Sequence, residues 1–412
     1  GGGGGGGGSG GGGATCPNGT TNAGALGSST VCNVSGEILT NLTLPRLTGI
    51  VYRLNGRVDI GRDLGANGAA TTGAAATLTI EPGVTIFGDV AADMLIVNRG
   101  SRISAIGTPS LPIVFTGAED ITGTANPETS DRLWGGVVLL GRAPIRGCNL
   151  GVAQGSVDCQ NAVEGVTAAT GRDALYGGAT ASDTSGTLRY VQIRYPGAFL
   201  TSAAAGDDLN GLTMGGVGSG TDISFTQVHN SGDDGIEIFG GAVNMKNVII
   251  SGALDDSLDT DEGWQGNVQF LLVRQTVGGR TGGPDRMFEW SNRAVSSLAG
   301  TLHTNPTISN FTLVGVNQNA SNVNLQAISF NNTGGTPGGS GRLANGVVTG
   351  SNVCASLSTA NTSPAPRFDS ILFNCPGGLD SASTTLINGG ANNTTTTPST
   401  LSGFLPGANE NA

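Results

Sequence analysis

Short β-rich runs separated by Gly, Asn, Asp, Ser and Thr recur along nearly the whole chain, and helical periodicity is absent from it. The clearest runs cover residues 77–80, 84–87, 94–97, 112–115, 136–140, 188–194, 223–228, 246–250, 267–273, 308–314 and 368–373. Placing Phe225, Val248 and Phe270 at equivalent positions gives steps of 23 and 22 residues, each run followed by a polar, acidic or glycine-rich corner. A repeat of roughly 20 to 30 residues, whose units bury apolar side chains only against their neighbours, is the mark of a solenoid. We therefore expect an all-β chain folded as a single right-handed parallel β-helix, filled with Val, Ile, Leu and Phe. Longer steps, such as the 41 residues from Phe270 to Phe311, would hold loops inserted at corners.

Composition agrees with this and removes other classes. Glycine supplies 72 of 412 residues, more than twice the usual share of roughly 7%, and tight corners need the positive φ that glycine adopts most cheaply. The glycines do not recur every third position, which excludes collagen. A net charge of -11 leaves no basic surface for nucleic acid. No run approaches the roughly 18 apolar residues of a membrane-spanning helix. We expect a glycine-rich leader and disulfide-closed cap over residues 1–35, the β-helix over 36–375, and a Thr/Asn-rich cap or assembly arm over 376–412.

The six cysteines fall as near neighbours, Cys16 with Cys32, Cys148 with Cys159 and Cys354 with Cys375, and none forms a C-x-x-C pattern. Three local disulfides and an oxidising compartment are expected. The chain starts at Gly1 rather than Met, which suggests removal of an export signal. Fixing one residue's backbone costs about 1 to 2 kcal/mol, and glycine buries almost nothing in return. The leader, Gly1, Gly2, Gly3, Gly4, Gly5, Gly6, Gly7 and Gly8 with the glycines after Ser9, is therefore expected to dock on a neighbouring copy through backbone hydrogen bonds.

Several stretches carry a family resemblance: Leu78-Thr-Ile-Glu-Pro-Gly-Val-Thr-Ile-Phe-Gly88, Pro112-Ile-Val-Phe-Thr116, Trp134-Gly-Gly-Val-Val-Leu-Leu-Gly141, Gly186-Thr-Leu-Arg-Tyr-Val-Gln-Ile-Arg194, Asp233-Asp-Gly-Ile-Glu-Ile-Phe-Gly-Gly241 and Asp255-Asp-Ser-Leu-Asp-Thr-Asp-Glu-Gly-Trp264. Across roughly residues 36 to 350 the chain resembles secreted right-handed β-helix proteins of Gram-negative bacteria, often lipoproteins found near TonB-dependent receptors. The resemblance implies the fold and an exported or cell-surface location; it implies no activity.

The densest acidic region runs from Asp207 and Asp208 through Asp233, Asp234 and Glu237 to Asp255, Asp256, Asp259, Asp261 and Glu262. Asp234 and Asp256 are 22 residues apart, one coil, so they should stack at one corner, about 4.8 Å from each other. Stacked carboxylates repel unless neutralised. Structural Ca²⁺, which takes six to eight oxygens, is one solution, with Asp233, Asp234, Glu237, Asp255, Asp256, Asp259, Asp261 and Glu262 as candidate ligands. A catalytic pair, Asp234 and Asp256 with His229 as an acid or base, is a second. The third is plain turn chemistry, Asp side chains bonding the turn backbone.

Signals for catalysis are otherwise sparse. The Gly-His-Gly and Arg-Ile-Lys of polygalacturonase-like enzymes are missing, and the sole lysine, Lys246, has no partner motif for β-elimination. Arg189 and Arg194 flank a strand and either meet acidic sugars or serve the ladder. Gly216-Val-Gly-Ser-Gly220 misplaces the serine of a nucleophile elbow and reads as a corner. Trp264 is either a sugar platform or a cap on the core, and His303 is given no role. The leading expectation is a secreted, self-assembling structural subunit that builds a filament or surface layer. The alternatives are a surface protein that binds polysaccharide or another ligand with an outer-membrane receptor, and a polysaccharide lyase or glycosidase.

Overall fold

In the computed structural model, residues 14–148, 152–203, 207–276, 283–292, 302–316, 325–330, 339–357 and 365–411 are described; the glycine leader lies outside them. The chain winds as a parallel β-solenoid, so the expected all-β architecture is correct. From the middle of the chain onward each coil has two strands. One is short: Leu212–Gly215, Ile236–Phe239, Leu258–Asp261, Phe288–Trp290, Gln326–Phe330 and Val353–Leu357 stack in parallel. The other is longer and bent: Gly186–Arg194, Asp222–His229, Asn244–Ser251, Asn267–Arg274, Thr307–Val314, Arg342–Thr349 and Arg367–Asn374 stack likewise. Their inward residues form one continuous core that includes all three tryptophans.

Each long strand bends at one residue with positive φ. Tyr190, Phe225, Asn247, Phe270, Asn310, Asn345 and Ser370 share this position with φ between 48° and 61°. The left-handed residue shifts the alternation, so Ile223, Thr226 and Val228 are buried while Phe225 is not. This corrects the alignment of Phe225, Val248 and Phe270. Asn247 is the true counterpart of the two phenylalanines, whereas Val248 faces inward and pairs with Thr226 and Leu271. Phe225 and Phe270 are 39% and 43% exposed, so these two do not fill the core. The left-handed region costs a residue with a Cβ roughly 1–2 kcal/mol; asparagine tolerates it best among non-glycine residues, and a bulky ring is an outlier there.

Disulfides join Cys16 to Cys32, Cys148 to Cys159 and Cys354 to Cys375, as the spacing suggested. The first ties Cys16 to Ser29–Ile38, on which Thr21–Leu26 pairs antiparallel as an exposed outer strand. The third anchors the turn after the last long strand. There the helix Ser381–Gly389 begins, with the Asp380 carboxylate accepting from the Ser383 N–H at 2.7 Å and the Leu357 N–H at 2.8 Å. The second disulfide closes an excursion between Gly136–Leu140 and Gly186–Arg194, which packs on the short strands through Tyr176 against Phe239.

Gly186 illustrates why glycine is needed at a coil entry. Its φ is +106°, and a Cβ there would lie 1.9 Å from the Ile103 carbonyl oxygen. Gly186→Ala should cost well over about 1 kcal/mol and lower the thermal midpoint clearly. Gly123→Ala, at φ +73° with nothing within 4 Å of the added carbon, should lower it less; equal shifts would show that the close backbone contact is unimportant.

Candidate cation-binding cleft

Three coils repeat one five-residue pattern: Asp233-Asp-Gly-Ile-Glu237, Asp255-Asp-Ser-Leu-Asp259 and Asp285-Arg-Met-Phe-Glu289. The turn before each short strand supplies the first two residues, and the second strand residue supplies the last. Ile236, Leu258 and Phe288 stack in register inside the core. Strand alternation therefore sends Glu237, Asp259 and Glu289 outward in a single file. The preceding coil has Thr213 in this file and the following coil has Ser329, so the acidic file is three rungs long. Phe199, Asp208, Leu209 and Asn210 wall the cleft on one side and Val163 and Glu164 of the disulfide-closed excursion on the other, around a space of about 320 Å³.

Asp234 and Asp256 each have a backbone duty. The Asp234 carboxylate accepts the Asp256 N–H at 2.8 Å, and the Asp256 carboxylate accepts the Arg286 N–H at 2.7 Å, so each closes the turn of the next coil. Their other surroundings are carboxylates. Ligand oxygens within 4.8 Å of one another occur in four groups: Asp233, Asp234 and Asp255; Asp234, Glu237 and Asp259; Asp255, Asp256 and Asp285; Asp256, Asp259 and Glu289. These resolve into two stations. Translating Asp233, Asp234, Glu237, Asp255 and Asp259 by one coil gives Asp255, Asp256, Asp259, Asp285 and Glu289, so the stations share Asp255 and Asp259.

Compensation is unequal. Arg286 enters the second station, its Nη1 lying 2.6 Å from Asp285 and 3.1 Å from Glu289. Among the described residues no basic side chain pairs with the five carboxylates of the first station, and the nearby Arg132 pairs with Asp131 at 3.2 Å and Asp208 at 3.6 Å instead. Other arginines pair with acids elsewhere, as Arg57 does with Asp59 at 2.9 Å and Arg142 with Asp183 at 2.8 Å. Burial, then the charges of Asp255 and Asp208, push Asp233 up to about 7. Burial, then Asp285 and Glu289, raise Asp255 to about 6. Asp234, Glu237, Asp256 and Asp259 are pushed well above the ordinary carboxylate range, burial again leading and neighbouring carboxylates adding to it.

Such a cluster needs either protons or a cation. Ca–O distances of 2.3–2.6 Å place two oxygens on one ion at most about 5 Å apart, which the 4.8 Å groups satisfy. Three buried oxygens at the cleft, Asp208 Oδ1, Asn210 Oδ1 and Asp259 Oδ1, have no hydrogen-bond partner. A carboxylate or amide oxygen without a donor is what a hard cation takes up.

Six of the eight residues expected to bind a cation meet here: Asp233, Asp234, Glu237, Asp255, Asp256 and Asp259. Asp261 and Glu262 belong to none of the groups. Glu262 is fully buried on another side, accepting from Asn161 Nδ2 at 2.8 Å and Tyr176 OH at 3.1 Å, and it pins the disulfide-closed excursion. Sequence reading missed Asn210, Asp285 and Glu289. The last two were visible as the third copy of the pattern, displaced by an insertion.

The catalytic trio does not assemble. His229 lies at the far end of its strand, its Nε2–H donating to the Pro127 carbonyl at 2.9 Å and its Nδ1 accepting from the Ser251 hydroxyl at 2.8 Å. Asp234 and Asp256 fall in different oxygen groups, each closing the turn of the next coil. Arg286 is no free base either: burial works against its charge, but Glu289, Asp285, Asp256 and Asp255 outweigh this and raise its pKa. Trp264 is fully buried with its indole N–H on the Val243 carbonyl at 3.0 Å, so it is a core residue and offers no sugar platform.

The raised carboxylates fix the sign of an apo pH dependence. Between the ordinary carboxylate range and about pH 7 the folded protein retains protons on Asp233 and Asp255 that the unfolded chain has lost. Stability therefore falls as pH rises through this window. In a chelator the thermal midpoint should drop from about pH 5 to pH 8, and Asp233→Asn should flatten the drop; a rising midpoint would show that the carboxylates are neutralised by other means.

A family model of a pectate-lyase-like β-helix domain matches residues 58–396. No curated protein and no solved structure is significantly similar to the chain. The match spans well over half of the sequence and agrees with the parallel coils and their corner insertions: the chain belongs to the pectate-lyase-like β-helix family.

Proposed function

We propose that this β-helix is an extracellular binding protein that holds Ca²⁺ in the acidic cleft and presents the open side of the ion's shell to an oxygen-rich ligand such as a saccharide. One observation carries the reading: two stations of five carboxylates, related by a one-coil translation, with no basic partner for the first among the described residues. Calcium takes six to eight oxygens and tolerates irregular geometry, whereas Mg²⁺ demands a near-ideal octahedron. A cleft of about 320 Å³ leaves room beside the ions for ligand oxygens. The three disulfides fit an oxidising, extracellular setting, and among the described residues no helix is long and apolar enough to cross a membrane.

Placement on a Gram-negative surface and work with an outer-membrane receptor are compatible with this reading and rest on the sequence resemblance alone. The self-assembly expectation draws on the leader, outside the described residues. After the last coil come the helix Ser381–Gly389 and the residues that follow it, whereas at the other end Thr21–Leu26 pairs only with Ser29–Ile38 and stands exposed as the outer strand.

Asp259 belongs to both stations, whereas Asp233 and Asp285 belong to one each. In calorimetric or terbium-luminescence titrations, Asp259→Asn should weaken cation binding more than Asp233→Asn or Asp285→Asn, by at least about tenfold, or ~1.4 kcal/mol. Glu262→Gln should leave it unchanged. Equal effects of all four substitutions, or no saturable binding by the unaltered protein, would remove the proposal.

A further inference from the structure

The outward residues that follow the left-handed bend by two positions form one file, in which Gln227, Ile249, Leu272, Thr312, Val347 and Leu372 pair rung by rung. At its last rungs the file is covered. Pro406 and Asn409 face Val347 and Leu372 across a common cavity, and both apolar side chains are buried. At its earlier rungs the file is open: Ile249 is exposed together with Phe225 and Phe270, and these three border an apolar groove of about 500 Å³ with Pro109, Pro112 and Leu272. The rings turn their faces to one another and to cations, Tyr190 stacking on Phe225 with centroids 4.6 Å apart and the Lys246 ammonium lying 5.7 Å from the centre of the Phe270 ring. The groove therefore offers ring edges and aliphatic side chains, an apolar lining without a flat platform.

The chain carries a matching projection on the same face. Ser402 and Leu405 close a tight turn, the Ser402 N–H donating to the Leu405 carbonyl at 3.0 Å and the Leu405 N–H to that of Ser402 at 3.1 Å. The turn presents Phe404 and Leu405, and Leu405 is 72% exposed, more than any other large apolar side chain among the described residues. Pro406, directly after the turn, stands over the covered end of the file, and Asn310 borders both that cavity and the groove. The turn cannot enter its own groove. The Ser399 N–H, donating to Asn374 Oδ1 at 3.3 Å, ties it to the last long strand, which lies three rungs beyond Phe270 and five beyond Phe225, or about 14 and 24 Å. Charge is complementary as well. Arg189, 5.5 Å from the centre of the Phe225 ring, and Lys246 stand at the groove and form no ion pair among the described residues. Beside the turn the Glu410 carboxylate is fixed by the Ser399 hydroxyl at 2.8 Å and the Gly407 N–H at 2.9 Å.

We propose that two copies of the chain pair through this face, the Phe404–Leu405 turn of each seating in the apolar groove of the other. A two-fold axis normal to the face carries each turn onto the other copy's groove, so both contacts form at once and the assembly closes at two copies. Phe404 and Leu405 fill the groove, and Arg189 and Lys246 meet the acidic region beside the incoming turn. That local attraction opposes the repulsion between two chains of net charge -11. One groove and one turn per copy make a small interface, so the pairing is weak, with a Kd in the micromolar range. The acidic cleft takes no part in it, and it needs no metal.

Sedimentation equilibrium of the whole protein, in chelator so that bridging ions cannot contribute, should show a reversible monomer–dimer equilibrium between micromolar and submillimolar concentration. Phe404→Ser with Leu405→Ser should raise the dimer Kd by at least about tenfold, and Phe225→Asn with Phe270→Asn should do the same. Both variants should keep the thermal midpoint, because the turn is exposed and asparagine already occupies the ring file at Asn247, Asn310 and Asn345. Mixing the two variants should restore part of the association, since a mixed pair keeps one intact turn opposite one intact groove. A monomer at every concentration, a dimer that survives loss of the turn side chains, or a mixture that associates no more tightly than either variant alone would each overturn the proposal.

Discussion

In a parallel in-register ladder each residue sits one strand spacing, about 4.8 Å, from its counterpart on the next coil. Whatever type of side chain recurs at the coil period becomes a file of like groups. For apolar residues this is favourable without qualification, and Leu212, Ile236, Leu258, Phe288 and Ile328 form such a file inside the core. For carboxylates it is repulsive, and burial makes it worse. A chain that repeats Asp-Asp-x-x-Glu or Asp on consecutive coils has committed itself to supplying a counter-charge.

The two outward files resolve that constraint in opposite ways. The acidic file is short, ending at Thr213 and Ser329, and is deepened into a cleft by the excursion tied through Cys148 and Cys159. Its turn aspartates also cap the next coil, so the site cannot be neutralised by mutation to apolar residues without loosening the corners. The aromatic file keeps its repeats apart: Asn247 separates Phe225 from Phe270, and each ring has a cation above it. One face therefore accumulates negative charge that requires an ion, and the opposite corner presents rings and positive charge that require none.

Much of the fold was legible because the long strands keep apolar residues at inward positions; residues 267–273, 308–314 and 368–373, read from sequence, lie within one residue of Asn267–Arg274, Thr307–Val314 and Arg367–Asn374. The short strands were harder. In Ile236–Phe239 and Leu258–Asp261 the outward residues are acidic, so four-residue strands looked like polar corners. The exposed rings were hidden by a phase change: a left-handed residue puts buried positions three apart, as at Leu188 and Val191, and simple alternation assigns Phe225 to the core. Glu262 follows directly on the acidic run yet leaves its plane, because its own φ of 55° turns the side chain toward Asn161 and Tyr176. Sequence adjacency carries no information about that turn.

The central claim is that protons and a divalent cation compete for one set of buried carboxylates. Calcium titrations by calorimetry near neutral pH, repeated in buffers of different ionisation enthalpy, measure this exchange directly. With Asp233 pushed up to about 7 and its neighbours raised as well, binding should release protons, seen as an observed enthalpy that changes in proportion to the buffer's. Binding with the same enthalpy in every buffer would mean that the carboxylates were already ionised without the ion, and would contradict the account.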